Sequence, residues 1–294
     1  MTVSGEARSG KGRSVAALSQ RLSETGTPNR VIDQGLKFRA LAEVAMTAGQ
    51  PLEDGTALTH FMRSPNTQKS MLGLLDTVRV LSEADKKDLL YNSAVGAASS
   101  QIASVSASHE IAVGLLRQEV AQAVEEDQKV VLIDGRAVEK YGMQFEEERL
   151  AVFALGWYFR CDSSVAAHRS LGLSGQQDLT AEQILQVHTE TAEIRNRNFR
   201  DQTRGVDPLR EPARAYRIDL RRYYDTDYGA EVGSPYIRGH DAMQVRMAMV
   251  DTTYTTSVEE MLGPVVEVPM MALLHKGAVT HDAVGVQFAS PGEW

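Results

Sequence analysis

Short apolar runs alternate along the chain with longer stretches in which apolar residues recur every three or four positions. Runs at Met1–Ser4, Arg30–Asp33, Lys129–Asp134, Ala154–Arg160 and Met247–Asp251 have the length and composition of β-strands. Between them, Val15, Leu18 and Leu22 fall at i, i+3, i+7, and Phe38, Leu41 and Ala45 repeat that spacing. Each set lies on one face of a helix. Residues 111–123, 181–203 and 257–262 also read as helix. Strands alternating with helices predict an α/β fold on a parallel sheet, here of five strands flanked by helices. Two regions break the alternation. Residues of about 50–100 are mostly helical in pattern and are inserted between the second and third strands. Residues of about 205–246 carry Pro208, Pro212, Pro235, many arginines and five tyrosines, and read as a long irregular excursion.

Composition narrows the class without choosing a chemistry. The 294 residues hold 31 Lys and Arg against 39 Asp and Glu, a net charge of −8, and 43% are apolar. That is enough apolar mass for one large domain, expected over residues 1–274 with a tail at 275–294. A single cysteine, Cys161, excludes an intramolecular disulfide framework, so a cytoplasmic home is expected. No apolar run approaches the roughly 20 residues that span a bilayer, and Met1–Arg13 has no apolar core of a secretory signal. The negative charge argues against a nucleic-acid coat, although the Arg/Tyr mixture at 205–246 has the residue types that stack on single strands. The seven histidines show no metal-ligand spacing.

Candidate chemistry begins at Gly5-Glu6-Ala7-Arg8-Ser9-Gly10-Lys11, which fits the G-x-x-x-x-G-K phosphate loop between a strand and an amphipathic helix. Glycines let backbone N–H groups turn inward around phosphate oxygens, and the helix N-terminus adds a positive dipole end. Lys11 is placed to meet the β- and γ-phosphates. Gly12 stands where a Ser or Thr usually ligates Mg²⁺, so the ion would be held by phosphates, water and a distant carboxylate. Asp134, closing the strand ahead of Gly135-Arg136, reads either as a turn-capping aspartate or as that water-mediated partner. Asp33-Gln34-Gly35-Leu36-Lys37-Phe38-Arg39 sets Arg39 one turn into a helix, where by itself it reads first as a surface arginine with a solvated head and otherwise as one that reaches a phosphate over the sheet. Arg197, Arg200, Asp201 and Arg204 fall at i, i+3, i+4, i+7, a stripe normally reserved for apolar core. It reads either as a solvated face or as an arginine clamp over transferring phosphates, a chemistry that needs charge neutralisation and alignment.

These segments, in this order and spacing, together with Ala98–Ala103 and Val250-Asp251-Thr252-Thr253, resemble the cytidylate kinase family of P-loop nucleoside monophosphate kinases. The resemblance implies a P-loop fold with a helical acceptor-binding insertion over about 50–100 and a lid over about 163–204. It implies transfer of the ATP γ-phosphoryl to CMP or dCMP with Mg²⁺, by a monomer or a homodimer with no membrane partner. The ATP-binding set becomes Gly5, Glu6, Ala7, Arg8, Ser9, Gly10, Lys11, Gly12 and Arg13, the last standing where the family usually has a hydroxyl residue. Phe38 and Arg39 match the family's aromatic–arginine pair, Arg136 and Arg204 its further acceptor-phosphate arginines, and Asp33 and Asp134 its strand-end carboxylates. Arg197 and Asp201 match residues at the sugar and the transferring group, and Arg200 matches a lid arginine. For the base, Ser100 matches the family serine, His109 occupies an arginine's place, and Ala137 stands where an aspartate follows Asp-Gly-Arg. Asn198 replaces a lid aspartate. Two alternatives follow from these departures: a kinase of the same fold for another monophosphate, or a nucleotide-binding homologue with impaired catalysis and a regulatory role.

Overall fold

The computed structural model describes residues 1–173, 178–218, 246–254 and 258–280. Six parallel strands, β1 (Thr2–Gly5), β2 (Asn29–Asp33), β3 (Val130–Asp134), β4 (Gly156–Arg160), β5 (Tyr216–Ile218) and β6 (Met247–Asp251), lie in the order β2-β3-β1-β4-β6-β5. The expected five-stranded sheet therefore gains an edge strand, β5, inside the stretch read as irregular. Three residues are too few to show a period, and its pairing with β6 supplies what local pattern does not. The remainder of that excursion, 219–245, lies outside the described residues.

Side chains on successive strand positions part to opposite faces, as the pleat requires. Leu132, Trp157, Phe159 and Val250 join one core with α1 (Lys11–Glu24) and α11 (Val258–His275). Their neighbours point to the other face: Ile133 packs with α7 (Ser106–Glu125) and α8 (Glu139–Glu147), while Tyr158 and Met249 meet Leu209. α11 extends well past the 257–262 read from the sequence. Gly263, Pro264 and Pro269 look like breakers, but Val265, Val268, Met270, Ala272 and Leu273 are buried against the first core. A proline inside a helix costs about 3 kcal/mol, and burial of several such side chains at ~1.5–3 kcal/mol each outweighs it. The core continues past the helix to Val279, which is buried, so the segment expected as a loose tail is attached at its start. Residues 281–294 lie outside the described residues.

Between β2 and β3 the helices α2 (Gln34–Thr47), α3 (Gly55–Arg63), α4 (Pro65–Val80), α5 (Glu83–Leu90), α6 (Ser93–Ile102) and α7 build a second core around Leu41, Leu58, Met71 and Ile102. This matches the helical insertion read from the pattern. Beyond β4 come α9 (Ser163–Ser170), capped by the Asp162 carboxylate, and α10 (Ala181–Thr203), which has the predicted bounds. At the start of α10 the Thr180 hydroxyl accepts from the Gln183 amide N–H while the Gln183 side chain accepts from Thr180 N–H, a capping box that fixes the helix start.

Candidate active site

The loop after β1 owes its shape to residues with positive φ. Gly5, at φ 135, crosses β4 so closely that a Cβ there would sit 2.0 Å from the Phe159 carbonyl oxygen. Arg8 (φ 58) and Gly10 (φ 93) complete the turn into α1. Ser9, almost fully buried, donates to the Glu6 carbonyl at 2.9 Å, and the Thr252 hydroxyl donates to the Ser9 carbonyl at 3.0 Å. The Glu6 carboxylate accepts from Cys161 N–H at 3.0 Å; burial pushes its pKa up, and that hydrogen bond and Arg160 oppose the rise. Gly10 caps α1 without a side-chain hydrogen bond, and the first turn holds no acidic residue. Its amides are thus open to an external anion. Gly12 and Arg13 lie exposed on that first turn.

The parallel register sets Asp33 beside Asp134 at the carboxyl edge of the sheet. Lys11 Nζ is 3.3 Å from Asp134 Oδ1. Burial pushes the Asp134 carboxyl up, Lys11 and Arg136 pull it down, and Asp33 adds to the rise. Asp33 caps α2 through Leu36 N–H at 3.1 Å and accepts from the Tyr91 hydroxyl at 2.7 Å. The Arg39 guanidinium lies over the Tyr91 ring, 4.5 Å from its centroid, and donates to the Leu90 carbonyl at 2.8 Å.

Cations from separate elements converge here. Asp201 sits between Arg136, at 2.9 Å, and Arg204, at 3.8 Å. Arg197 has a buried Nε with no hydrogen-bond partner. Burial drives its pKa down to about 9; Arg136, Arg39 and Arg8 push the same way, and Asp201 opposes them. Burial likewise lowers Arg39 and Arg204. Guanidiniums held close, desolvated and partly unpaired form a receptor for a multiply charged anion.

The α10 stripe divides. At 3.6 residues per turn, Ile194 and Asp201 lie within about 20° of each other, whereas Arg200 is about 100° from Asp201. Ile194, Asn198 and Asp201 are buried, Arg197 is half-buried and Arg200 is exposed. Asn198 reaches the phosphate loop, its Oδ1 accepting from Ala7 N–H at 2.8 Å. Arg8, at the loop crest, lies 3.5 Å from Glu190 on the same helix. The loop and α10 are therefore in direct contact.

The family model for cytidylate kinase matches residues 1–223. The chain belongs to the cytidylate kinase family. No curated protein matches it. Membership makes the chain a nucleotide-binding phosphotransferase acting on nucleoside monophosphates, and the phosphate loop, the strand-end carboxylates and all the arginines above fall inside the matched span.

Two of the positions expected at the base end of the acceptor also lie together. Phe38 is buried with its ring centroid 4.9 Å from that of His109. His109, also buried, presents Nδ1 to Asp207 at 2.9 Å and Nε2 to the Ala103 carbonyl at 2.8 Å. Ser100 lies on α6, one turn from Gly96, whose Cα faces the Arg39 guanidinium. Two participants escaped the sequence reading. Tyr91 follows a short polar helix with no motif around it, and Asp207 lies in an Asp-Pro turn whose only local signal is a bend.

Among the described residues, no helix is long and apolar enough to cross a membrane.

Proposed function

We propose that the chain transfers the γ-phosphoryl of ATP to CMP or dCMP by direct in-line displacement. The observation that carries this reading is the buried, unpartnered Arg197 Nε within a group of guanidiniums facing the same edge of the sheet as Lys11. ATP lies along the loop 5–13, with Lys11 and the first-turn amides on its phosphates. Arg39, Arg136 and Arg204 hold the acceptor phosphate, and Asp201 and Arg197 meet its sugar and the transferring group. Phe38, Ser100 and His109 line the base end, and Asp33 orders α2 beneath it. An acceptor phosphate oxygen attacks Pγ as the bond from Pγ to the β-phosphate oxygen breaks, leaving ADP. The acceptor phosphate has a second pKa near 6, so at neutral pH it needs no general base. Catalysis consists of alignment and charge neutralisation.

Mg²⁺ fits this edge in one way. Gly12 offers it no hydroxyl, while Asp134 Oδ1 is buried with no aligned hydrogen-bond partner, an acceptor suited to a metal-bound water. Asp134, with Asp33 beside it, would hold the hydrated ion, which when bound neutralises charge on the β- and γ-phosphates. The segment of about 163–204 acts as the lid, bringing Arg200 over the transferring group and excluding water. The insertion of about 50–100 carries the acceptor.

The test is ADP release coupled to NADH oxidation, with CMP, dCMP, UMP, AMP and GMP as acceptors. The expected result is turnover with CMP or dCMP at the highest kcat/KM. A different preferred base would move the chain to a same-fold kinase for that nucleotide. Tight ATP binding with no transfer to any acceptor would replace this reading with that of a nucleotide-binding regulator.

A further inference from the structure

One buried cluster beside the arginines has no use in phosphate chemistry. Asp207, in the turn after α10, holds φ 48, a left-handed conformation that aspartate adopts more readily than most residues. Its carboxylate is only 12% exposed and faces donors from two elements: His109 on α7, and Lys140 and Tyr141 on α8. Burial would push this carboxyl up, yet the hydrogen bonds hold it well below the usual carboxylate range. The group is therefore a fixed anion. It is also tied to the phosphate end, since Arg204 Nε donates to the Asp207 carbonyl at 2.7 Å and Leu209 N–H to the Asp201 carbonyl at 2.8 Å.

Counting lone pairs separates the roles of the two partners. His109 bonds the Ala103 carbonyl through Nε2, while its Nδ1 lies 2.9 Å from Asp207 Oδ2 as a close polar contact without aligned hydrogen-bond geometry, so the ring abuts the carboxylate. In Asp207, Oδ2 meets His109 and Tyr141, but among the described residues Oδ1 meets Lys140 alone, whose side chain is 51% exposed. A carboxylate oxygen has two lone-pair sites, so Oδ1 has one to spare. Position 137, next to Arg136, is an alanine and supplies no carboxylate.

We propose that Asp207 is the base-reading residue of the acceptor site. Its Oδ1 accepts a hydrogen bond from the exocyclic amino group of the nucleobase, which selects an amino-bearing pyrimidine over its oxo counterpart. His109 is a positioning residue that aims this carboxylate and packs against Phe38. The inference rests on the reading that Arg39, Arg136 and Arg204 hold the acceptor phosphate, from which the base extends toward this cluster.

The experiment compares kcat/KM of the full chain for CMP, UMP and the 4-deamino analogue of CMP, with ATP and Mg²⁺. Wild type is expected to favour CMP over each of the others by tenfold or more, as a site built to bond a substrate N–H does. Asp207→Asn, whose amide offers donor or acceptor, is expected to bring CMP and UMP within about threefold. A brace without contact to the base would lower both substrates equally and leave their ratio unchanged, and that result overturns the proposal. So does a wild type that uses the deamino analogue as well as CMP. This arm needs no variant, so a misfolded Asp207→Asn leaves it intact. A wild type that prefers UMP overturns the assignment while the kinase reading stands, whereas no turnover with any monophosphate removes the kinase reading itself.

Discussion

Arg197 keeps its charge against its surroundings. Burial and three neighbouring guanidiniums all favour its neutral form, and its Nε has no partner. A group kept in that condition destabilises the ligand-free fold and becomes favourable only when an anion arrives. Arg197→Met is therefore expected to raise the melting temperature without nucleotide by a few degrees, since about 1 kcal/mol moves a domain of this class by roughly 2–4 °C. The same change should lower kcat by on the order of 10²-fold. Calorimetry paired with turnover decides the matter, and a variant that melts lower than wild type would make the guanidinium a brace. Glu139, in the first turn of α8, is a second strained charge. Its Oε1 is buried without a partner, and burial raises its pKa from 4.5 to about 7. The folded state thus binds this proton more tightly than the unfolded chain. Stability from this group is complete below pH 4.5 and is lost as pH rises through about 7. Glu139→Gln should stabilise at pH 8, by up to ~3 kcal/mol, and have little effect at pH 4.5. Equal shifts in the two melts would contradict it. Residues of this kind divide by how far sequence can reach them. Lys11 was legible because a strand, two glycines and a helix start surround it within one loop. Nothing local marks Tyr91, Asp207 or the desolvation of Arg197, because each is made by packing against distant chain.

Among the elements, α10 joins the two ends of the site. Its apolar and polar periodicity gave both its bounds, and the Thr180–Gln183 capping box explains why the start was legible. The stripe was legible in composition but not in orientation: a period of 3.6 widens over four positions, so Arg200 sits at its solvent limb while Asp201 is buried. β5 was missed for the opposite reason, being too short to carry a period, and α11 was cut short because Pro264 and Pro269 imitate an end that tertiary burial overrides. Orientation sets the expectation for Arg200. It is exposed here, and in the proposed mechanism it acts only after α10 moves toward the phosphates. Arg200→Ala should lower kcat by about tenfold or more with acceptor KM changed by less than about threefold, the pattern of an interaction made in the transition state. A rise in KM at constant kcat would instead place Arg200 in ground-state binding.

At the scale of the molecule, the sheet topology is what makes these side chains one site. β2, β3, β1 and β4 are adjacent and parallel, so Asp33, Asp134, the phosphate loop and Arg160 all emerge at one edge. α2 and α7, on either side of the inserted helices, carry Arg39 and His109, while α10 and the residue after it carry Arg197, Asp201 and Arg204. Two anions bound together across this gap neutralise more guanidinium charge than either bound alone. A bisubstrate ligand, adenosine and cytidine joined through a polyphosphate bridge, is accordingly expected to raise the melting temperature by about 5 °C or more at saturation. ATP alone should give a clearly smaller shift, because it leaves the desolvated arginines at positions 39, 136 and 204 without an acceptor phosphate. The increment should shrink between low and high salt, although less than for exposed pairs, since the guanidiniums concerned are largely shielded from solvent. If ATP reproduces the whole effect, the guanidiniums do not share a ligand with the phosphate loop, and they do not form one site of transfer with it.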